Sequence, residues 1–304
     1  MDNKANLFIV GAAKCGTTSL HSILSNHPDI FMSKVKEPHF FSDVYIGNGL
    51  ESSFDKTKDY HTRTIKNPAV YHSLFSEGAN CKYRGEASPS YLWDEKSAER
   101  IYNYNQDTKI VIILRDPIKR CLSHYQMDIS NGVQADYNYY QGIQKDYQIP
   151  SNLKRWGSKK SHLYVELGMY YSQVQRYYSI FPEKQILIIT TKDLKDIGIL
   201  NSKIGTFLSL DNSKSLVASQ AANTSKVPRL KIILKFKNTL IFKTLSQIMG
   251  SEIRQNIKGL LYKEGYSKIG MIQKGEDFLK NIYREEMDLL YKSYDIDFRF
   301  KSEN

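Results

Sequence analysis

Apolar and polar positions alternate along this chain in a way that marks strands and helices by turns. Leu7, Phe8, Ile9 and Val10 form a short apolar run closed by Gly11, the pattern of a buried strand. After a turn of small residues, Leu20, Ile23 and Leu24 recur at helical spacing until Pro28 stops them. Residues 109–114 predict a second core strand, with every residue from 110 to 113 β-branched. Asp116 and Pro117 then supply an N-cap and a first-turn proline, and Ile118, Cys121, Leu122, Tyr125 and Ile129 fall on one helix face. Tyr170, Val174, Tyr177, Tyr178 and Phe181 repeat the helical register before Pro182, and residues 185–190 read as another strand. Phe278, Leu279 and Ile282 predict a docking helix within 275–294. Between these lie stretches without clean periodicity. Residues 43–80 predict loops and short helices, and residues 131–164 a long polar excursion. Strands separated by helices predict an α/β fold, a central parallel sheet flanked by helices in three layers. No linker, repeat or low-complexity tract divides residues 1–304, so one domain is expected.

Charge narrows the partner. The net charge is +11, and nine Lys or Arg against one acid fall between Lys226 and Lys263. An anionic partner is expected, with nucleic acid, acidic polysaccharide, phospholipid and a multiply charged nucleotide all eligible. Interleaved apolar residues make 226–265 a candidate basic amphipathic helix, lid-like or lying on the surface. Cys15, Cys81 and Cys121 are an odd, scattered set, and no apolar run is long enough to span a bilayer. A cytoplasmic protein of bacterial style is expected.

The chemistry concentrates in the first strand–turn–helix. Gly11 and Gly16 have the spacing of the nucleotide-binding loop G-x-x-x-x-G-K-[ST], and Thr18 takes the hydroxyl position. The lysine position, however, is Thr17, and a lysine stands inside the loop at Lys14. A cation so placed suits a shorter anion better than a triphosphate. Glu37 precedes Pro38, which biases it towards extended backbone at a turn. A carboxylate there can serve as a general base or simply pair with Lys34 or Lys36; His39 can serve as a base or pack against Phe40. Arg120 reads as a helix-surface residue. His21, His27 and His124 have no metal-type spacing, so no metal is expected.

Taken together, these segments resemble the sulfotransferases that use 3′-phosphoadenosine 5′-phosphosulfate (PAPS). Lys14-Cys15-Gly16-Thr17-Thr18-Ser19-Leu20 is similar to their 5′-phosphosulfate loop. Residues 110–117, continuing to Arg120, Ser123, His124 and Tyr125, are similar to their 3′-phosphate motif. Residues 36–41 are similar to a segment of the heparan-type and bacterial carbohydrate branches. The resemblance implies a nucleotide-binding-loop (P-loop-NTPase-like) core in which residues 14–19 hold the phosphosulfate. Lys14 would stabilise the leaving oxygen, and Arg115 and Ser123 would hold the 3′-phosphate. Glu37, or His39 in its place, would be the base. Asn223, Thr224, Ser225 and Arg229 would fall on a loop closing over the nucleotide. The implied acceptor is a glycan hydroxyl or amine, anionic and lipid-linked forms included, and the basic stretch leaves room for peripheral membrane contact. Residues 83–91 are similar to a family strand that ends beside the site, and within it Ala87 stands where some heparan-modifying relatives carry a basic residue, which argues against a heparan-like acceptor. Two other readings use the same residues: a magnesium-dependent kinase or NTPase with Asp116 as metal ligand, or a non-catalytic binder of anionic polymers or membranes. No helix-turn-helix, ribonucleoprotein or zinc signature supports nucleic acid as partner.

Overall fold

The computed structural model describes residues 4–43, 64–131, 133–134, 136–154, 161–211, 215–217, 226–228, 262–264 and 269–300. Five parallel strands form the central sheet: β1 (Leu7–Gly11), β2 (Ile30–Met32), β3 (Tyr83–Ala87), β4 (Lys109–Leu114) and β5 (Ile186–Thr190), in the order β2-β3-β1-β4-β5. Helices flank it, as the α/β reading predicts. β1 and nearly all of β4 are buried on both faces, which is why they read as continuous apolar runs. The connections run towards β2 and β3 on one side of β1, then cross to β4 and β5 on the other. Such a reversal opens a crevice beyond the carboxyl ends of the central strands.

Helix α1 (Thr17–Leu24) follows β1, and α2 (Pro68–Ser73), α3 (Ser90–Trp93) and α4 (Ser97–Tyr104) surround β3 in sequence. α5 (Pro117–Asn131) follows β4, and Asp116 caps it by accepting the N–H groups of Ile118 (2.9 Å) and Lys119 (3.0 Å). The five residues predicted on its apolar face are all buried. α7 (Tyr170–Tyr178) precedes β5, and α8 (Ile197–Leu208) follows it.

The polar excursion of 131–164 contains a helix the periodicity did not reveal, α6 (Tyr139–Tyr147). It buries Tyr139, Gly142, Ile143 and also Asp146, whose carboxylate accepts the N–H groups of His162 (2.6 Å) and Tyr164 (2.9 Å). The predicted docking helix is α9 (Ile272–Tyr294). Its Leu279, Tyr283, Met287 and Leu290 join the main apolar cluster, and Tyr283 donates its hydroxyl to the Val165 carbonyl at 2.8 Å. Short strands β6 (Lys226–Pro228) and β7 (Tyr262–Glu264) pair antiparallel at the two ends of the basic stretch. The amphipathic helix expected between them lies outside the described residues, as do residues 223–225 and Arg229. No described helix is long and apolar enough to cross a membrane.

Candidate active site

The crevice beyond β1 and β4 is where the predicted anion loop sits. Gly11 ends β1 against Leu92; a Cβ there would lie 2.6 Å from the Leu92 Cβ, so glycine is required by close approach. Gly16 is the N-cap of α1 at φ 99°, and α1 has no side-chain cap. The first-turn N–H groups of Thr17, Thr18 and Ser19 therefore face the loop with the positive end of the helix behind them. Lys14, at φ 67°, curls back so that its Nζ meets the Met127 Sδ at 3.3 Å on α5. Its carbonyl accepts from Arg115 at 3.3 Å. Cys15 points inward, fully buried, its Sγ 3.6 Å from the Tyr170 hydroxyl; burial raises its pKa, which fits a small packing residue rather than a reactive thiol.

The carboxylate half of the site approaches from the β2–α2 connection. The Glu37 N–H donates to the Ala87 carbonyl at the end of β3 (3.1 Å), which brings the loop to the edge of the crevice. Glu37 is at φ 59° and His39 at φ 52°. Glu37 is thus left-handed rather than extended, because this tertiary hydrogen bond overrides the bias from Pro38. With Lys14, these make three of the seven non-glycine residues at positive φ among the described ones. Each such residue costs on the order of 1–3 kcal/mol and is found where surrounding structure imposes it, commonly at functional sites. Glu37 is buried, its Oε1 2.5 Å from the Lys36 Nζ and its Oε2 3.7 Å from the His39 Nε2. The His39 Nδ1 lies 2.7 Å from the Ser90 Oγ, which in turn is 2.9 Å from the Ser42 Oγ.

Electrostatics ties the two halves together. Burial holds the Lys14 ammonium below the ordinary lysine pKa; Asp128 and Glu37 oppose that shift, and Arg115 and Arg120 reinforce it. Lys14 therefore lies within electrostatic reach of both Arg115 and Glu37. Ser123 is half-buried on α5, and no described contact joins it to Lys14 or Arg115.

Four groups that the sequence reading left out belong to this neighbourhood. Asp128 accepts from His162 (2.9 Å) and from the Tyr164 hydroxyl (2.8 Å), beside Lys14. The segment carrying His162 leans on the loop through Leu163, which clusters with Ala13. Arg120 is fully buried, not on the helix surface: it donates to the Tyr164 carbonyl from behind the loop, among Cys15, Tyr170 and Tyr283. Glu86 on β3 is fully buried within a ring of hydroxyls. Among the described residues, no cluster of His, Cys, Asp or Glu could hold a metal ion. Asp116, the ligand a kinase reading requires, has an oxygen engaged in capping α5.

Comparison with known proteins points one way. The sulfotransferase domain model matches residues 4–228. Carbohydrate sulfotransferase 15 of Homo sapiens is 23% identical over 267 residues, which cover 73% of this chain and 47% of that protein. Bifunctional heparan sulfate N-deacetylase/N-sulfotransferase 2 of Bos taurus is 28% identical over 196 residues, covering 64% of this chain and 20% of that one. The chain thus spans half or less of the length of these relatives. A solved sulfotransferase from Alicyclobacillus acidocaldarius superposes with a TM-score of 0.61 at 29% identity, covering 72% of this chain and 87% of the other.

Proposed function

The chain belongs to the sulfotransferase domain family, and from that premise we propose that it transfers the sulfuryl group of PAPS to a hydroxyl or amine of a glycan. The acceptor atom attacks sulfur in line as the bond from sulfur to the 5′-phosphate oxygen breaks. Glu37 takes the acceptor's proton. The products are the sulfated acceptor and adenosine 3′,5′-bisphosphate. The phosphosulfate is read onto residues 14–19, held by the first-turn N–H groups of α1 and by the Lys14 side chain, and the 3′-phosphate onto Arg115 and Ser123.

The observation that carries this reading is the loop at the end of the central strands: the uncapped α1 terminus at Gly16, Lys14 with its carbonyl held by Arg115, and the Glu37 segment bound to the end of β3. An anion held at Lys14 then has a buried carboxylate nearby to receive a proton. The Lys36 ammonium pairs with the Glu37 carboxylate at 2.5 Å and orients it, and a general base needs that carboxylate free of a proton. His39 is the second candidate, its ring oriented by Ser90. Preorganised positive charge from Lys14 and the α1 terminus supplies the stabilisation of the leaving phosphate. A glycan acceptor is supported by the names of the relatives, which act on carbohydrate or heparan sulfate.

Calorimetric titration with adenosine 3′,5′-bisphosphate in the absence of magnesium tests the donor half. Wild type should bind, and Arg115→Ala should bind more weakly. Failure to bind, together with magnesium-dependent binding of ATP, would replace this reading with the kinase one.

A further inference from the structure

No step above uses Glu86, although its carboxylate is fully buried at the end of β3, beside the crevice. Its Oε1 accepts the hydroxyls of Tyr71 (2.9 Å) and Tyr91 (2.7 Å), and its Oε2 accepts the Ser88 hydroxyl (2.6 Å). A hydroxyl has one proton to give. Once the protons of Ser88 and Tyr91 point at Glu86, their oxygens can only accept from elsewhere, and each faces a backbone N–H of the loop that carries the candidate base. The Ser88 Oγ accepts from the His39 N–H at 3.1 Å, and the Tyr91 oxygen accepts from the Phe41 N–H at 3.4 Å. The residue after Glu86, Ala87, takes the Glu37 N–H.

We propose that Glu86 is a positioning residue for the base: by orienting Ser88 and Tyr91, its carboxylate fixes the backbone of residues 37–41 and so the aim of Glu37 and His39. The consequence for turnover rests on the reading of Glu37 as the base, whereas the hydrogen-bond relay stands without it. The loop needs such a hold, because Glu37 and His39 both keep left-handed backbone.

Only the ionised carboxylate can accept all three hydroxyls. Once protonated, Glu86 must itself donate, and one of the three hydroxyls has to turn away. Burial raises its pKa to about 7, against the three hydroxyl hydrogen bonds, which favour the charge; the charge of Glu37 adds to the rise. The titratable groups facing it are Tyr71 from α2, Tyr91 from α3, Tyr177 from α7 and Glu37 with its neighbour His39 from the loop; Tyr104 of α4 stands beside Tyr71. Burial pushes the pKa values of Tyr71, Tyr91 and Tyr177 upwards, so these stay protonated as Glu86 titrates.

The test follows the His39 and Phe41 amides by NMR from about pH 6 to about pH 8 in wild type, Glu86→Gln, Ser88→Ala and Tyr91→Phe. Adenosine 3′,5′-bisphosphate is titrated in parallel. In wild type both amides should shift together with a midpoint near neutrality, and Glu86→Gln should abolish that shared shift. A titration of His39 itself would survive in Glu86→Gln, so a retained shift overturns the proposal. Ser88→Ala should speed hydrogen exchange about tenfold at His39 only, and Tyr91→Phe by a similar factor at Phe41 only. If Glu86→Gln does not fold, these single-arm variants decide, and wild-type exchange in both overturns the proposal. A wild type with the paired amide shift but no affinity for the bisphosphate would support the relay while overturning the donor reading.

Discussion

Replacing Lys14 by methionine should separate binding from stability. The ammonium is half-buried, and burial holds its pKa below the usual lysine value. Below the folded pKa the residue is charged in both the folded and the unfolded chain, so folding carries the cost of desolvating it. Above the folded pKa that cost is relieved, because the unfolded chain then binds more protons and stability rises with pH. Methionine removes the charge and keeps a chain of similar length against Met127. Asp128 loses one favourable neighbour but keeps His162 and Tyr164 as hydrogen-bond donors. The ligand-free variant should therefore be about 0.5–2 kcal/mol more stable than wild type at neutral pH, the range common for a single stabilising substitution. The gain should shrink in alkaline buffer.

Affinity should move in the opposite direction. A charge-assisted hydrogen bond to phosphate is worth about 1.5–3 kcal/mol, so Lys14→Met should weaken adenosine 3′,5′-bisphosphate by about 10- to 150-fold. Calorimetric titration reads the affinity, and thermal unfolding without ligand at two pH values reads the stability. A variant that lost stability along with affinity would refute the reasoning, since Lys14 would then be structural. One that bound the bisphosphate as wild type does would remove Lys14 from the donor site.

Three further outcomes follow from the packing around the site. Asp128→Asn should cost about 1.5–3 kcal/mol by leaving His162 and Tyr164 without their charged acceptor. Burial works against the His162 imidazolium, but the Asp128 hydrogen bond and the charges of Asp128 and Asp146 together outweigh it and raise the pKa, so this contribution is full below the ordinary histidine pKa and fades as pH rises through the folded pKa. Denaturant unfolding at several pH values should show that slope in wild type and lose it in Asp128→Asn. Gly11→Ala places a Cβ 2.6 Å from the Leu92 Cβ and should cost about 1–3 kcal/mol, with weaker bisphosphate binding because the strain falls where the loop begins. Leu279→Ala should cost about 2–5 kcal/mol by denaturant unfolding, because this residue of α9 is fully buried in the main apolar cluster although it lies beyond the segment the family model matches.

What could be read in the sequence depended on whether a residue's partners are close in the chain. β1, the loop and α1 form one contiguous signal, and β4 with its capped helix another; both were legible because periodicity and capping are local. α6 escaped because its buried face includes Asp146, a charged residue satisfied by N–H groups 16 and 18 residues away. Arg120 escaped for the same reason, since its burial is set by Tyr164 and by Tyr283 of α9, both remote in the chain. Glu37 was legible as chemistry but not as conformation: the bond to Ala87 that holds it left-handed comes from another strand. Glu86 is the instructive case, because two of its donors, Ser88 and Tyr91, are near it in sequence. An acid within a strand buried at Gly85 and Ala87, followed by hydroxyl residues two and five positions on, is a signal in itself. A carboxylate without exposure persists there only if hydroxyls satisfy it, and hydroxyls so committed must accept from something else. Here that something is the backbone of the loop bearing Glu37 and His39. Lys14 and Glu86 are among the groups whose charge burial disfavours, and both act electrostatically on Glu37 of that loop. Stability alone would favour neutral groups at both positions; in the proposed reaction the first charge holds the donor and the second aims the base.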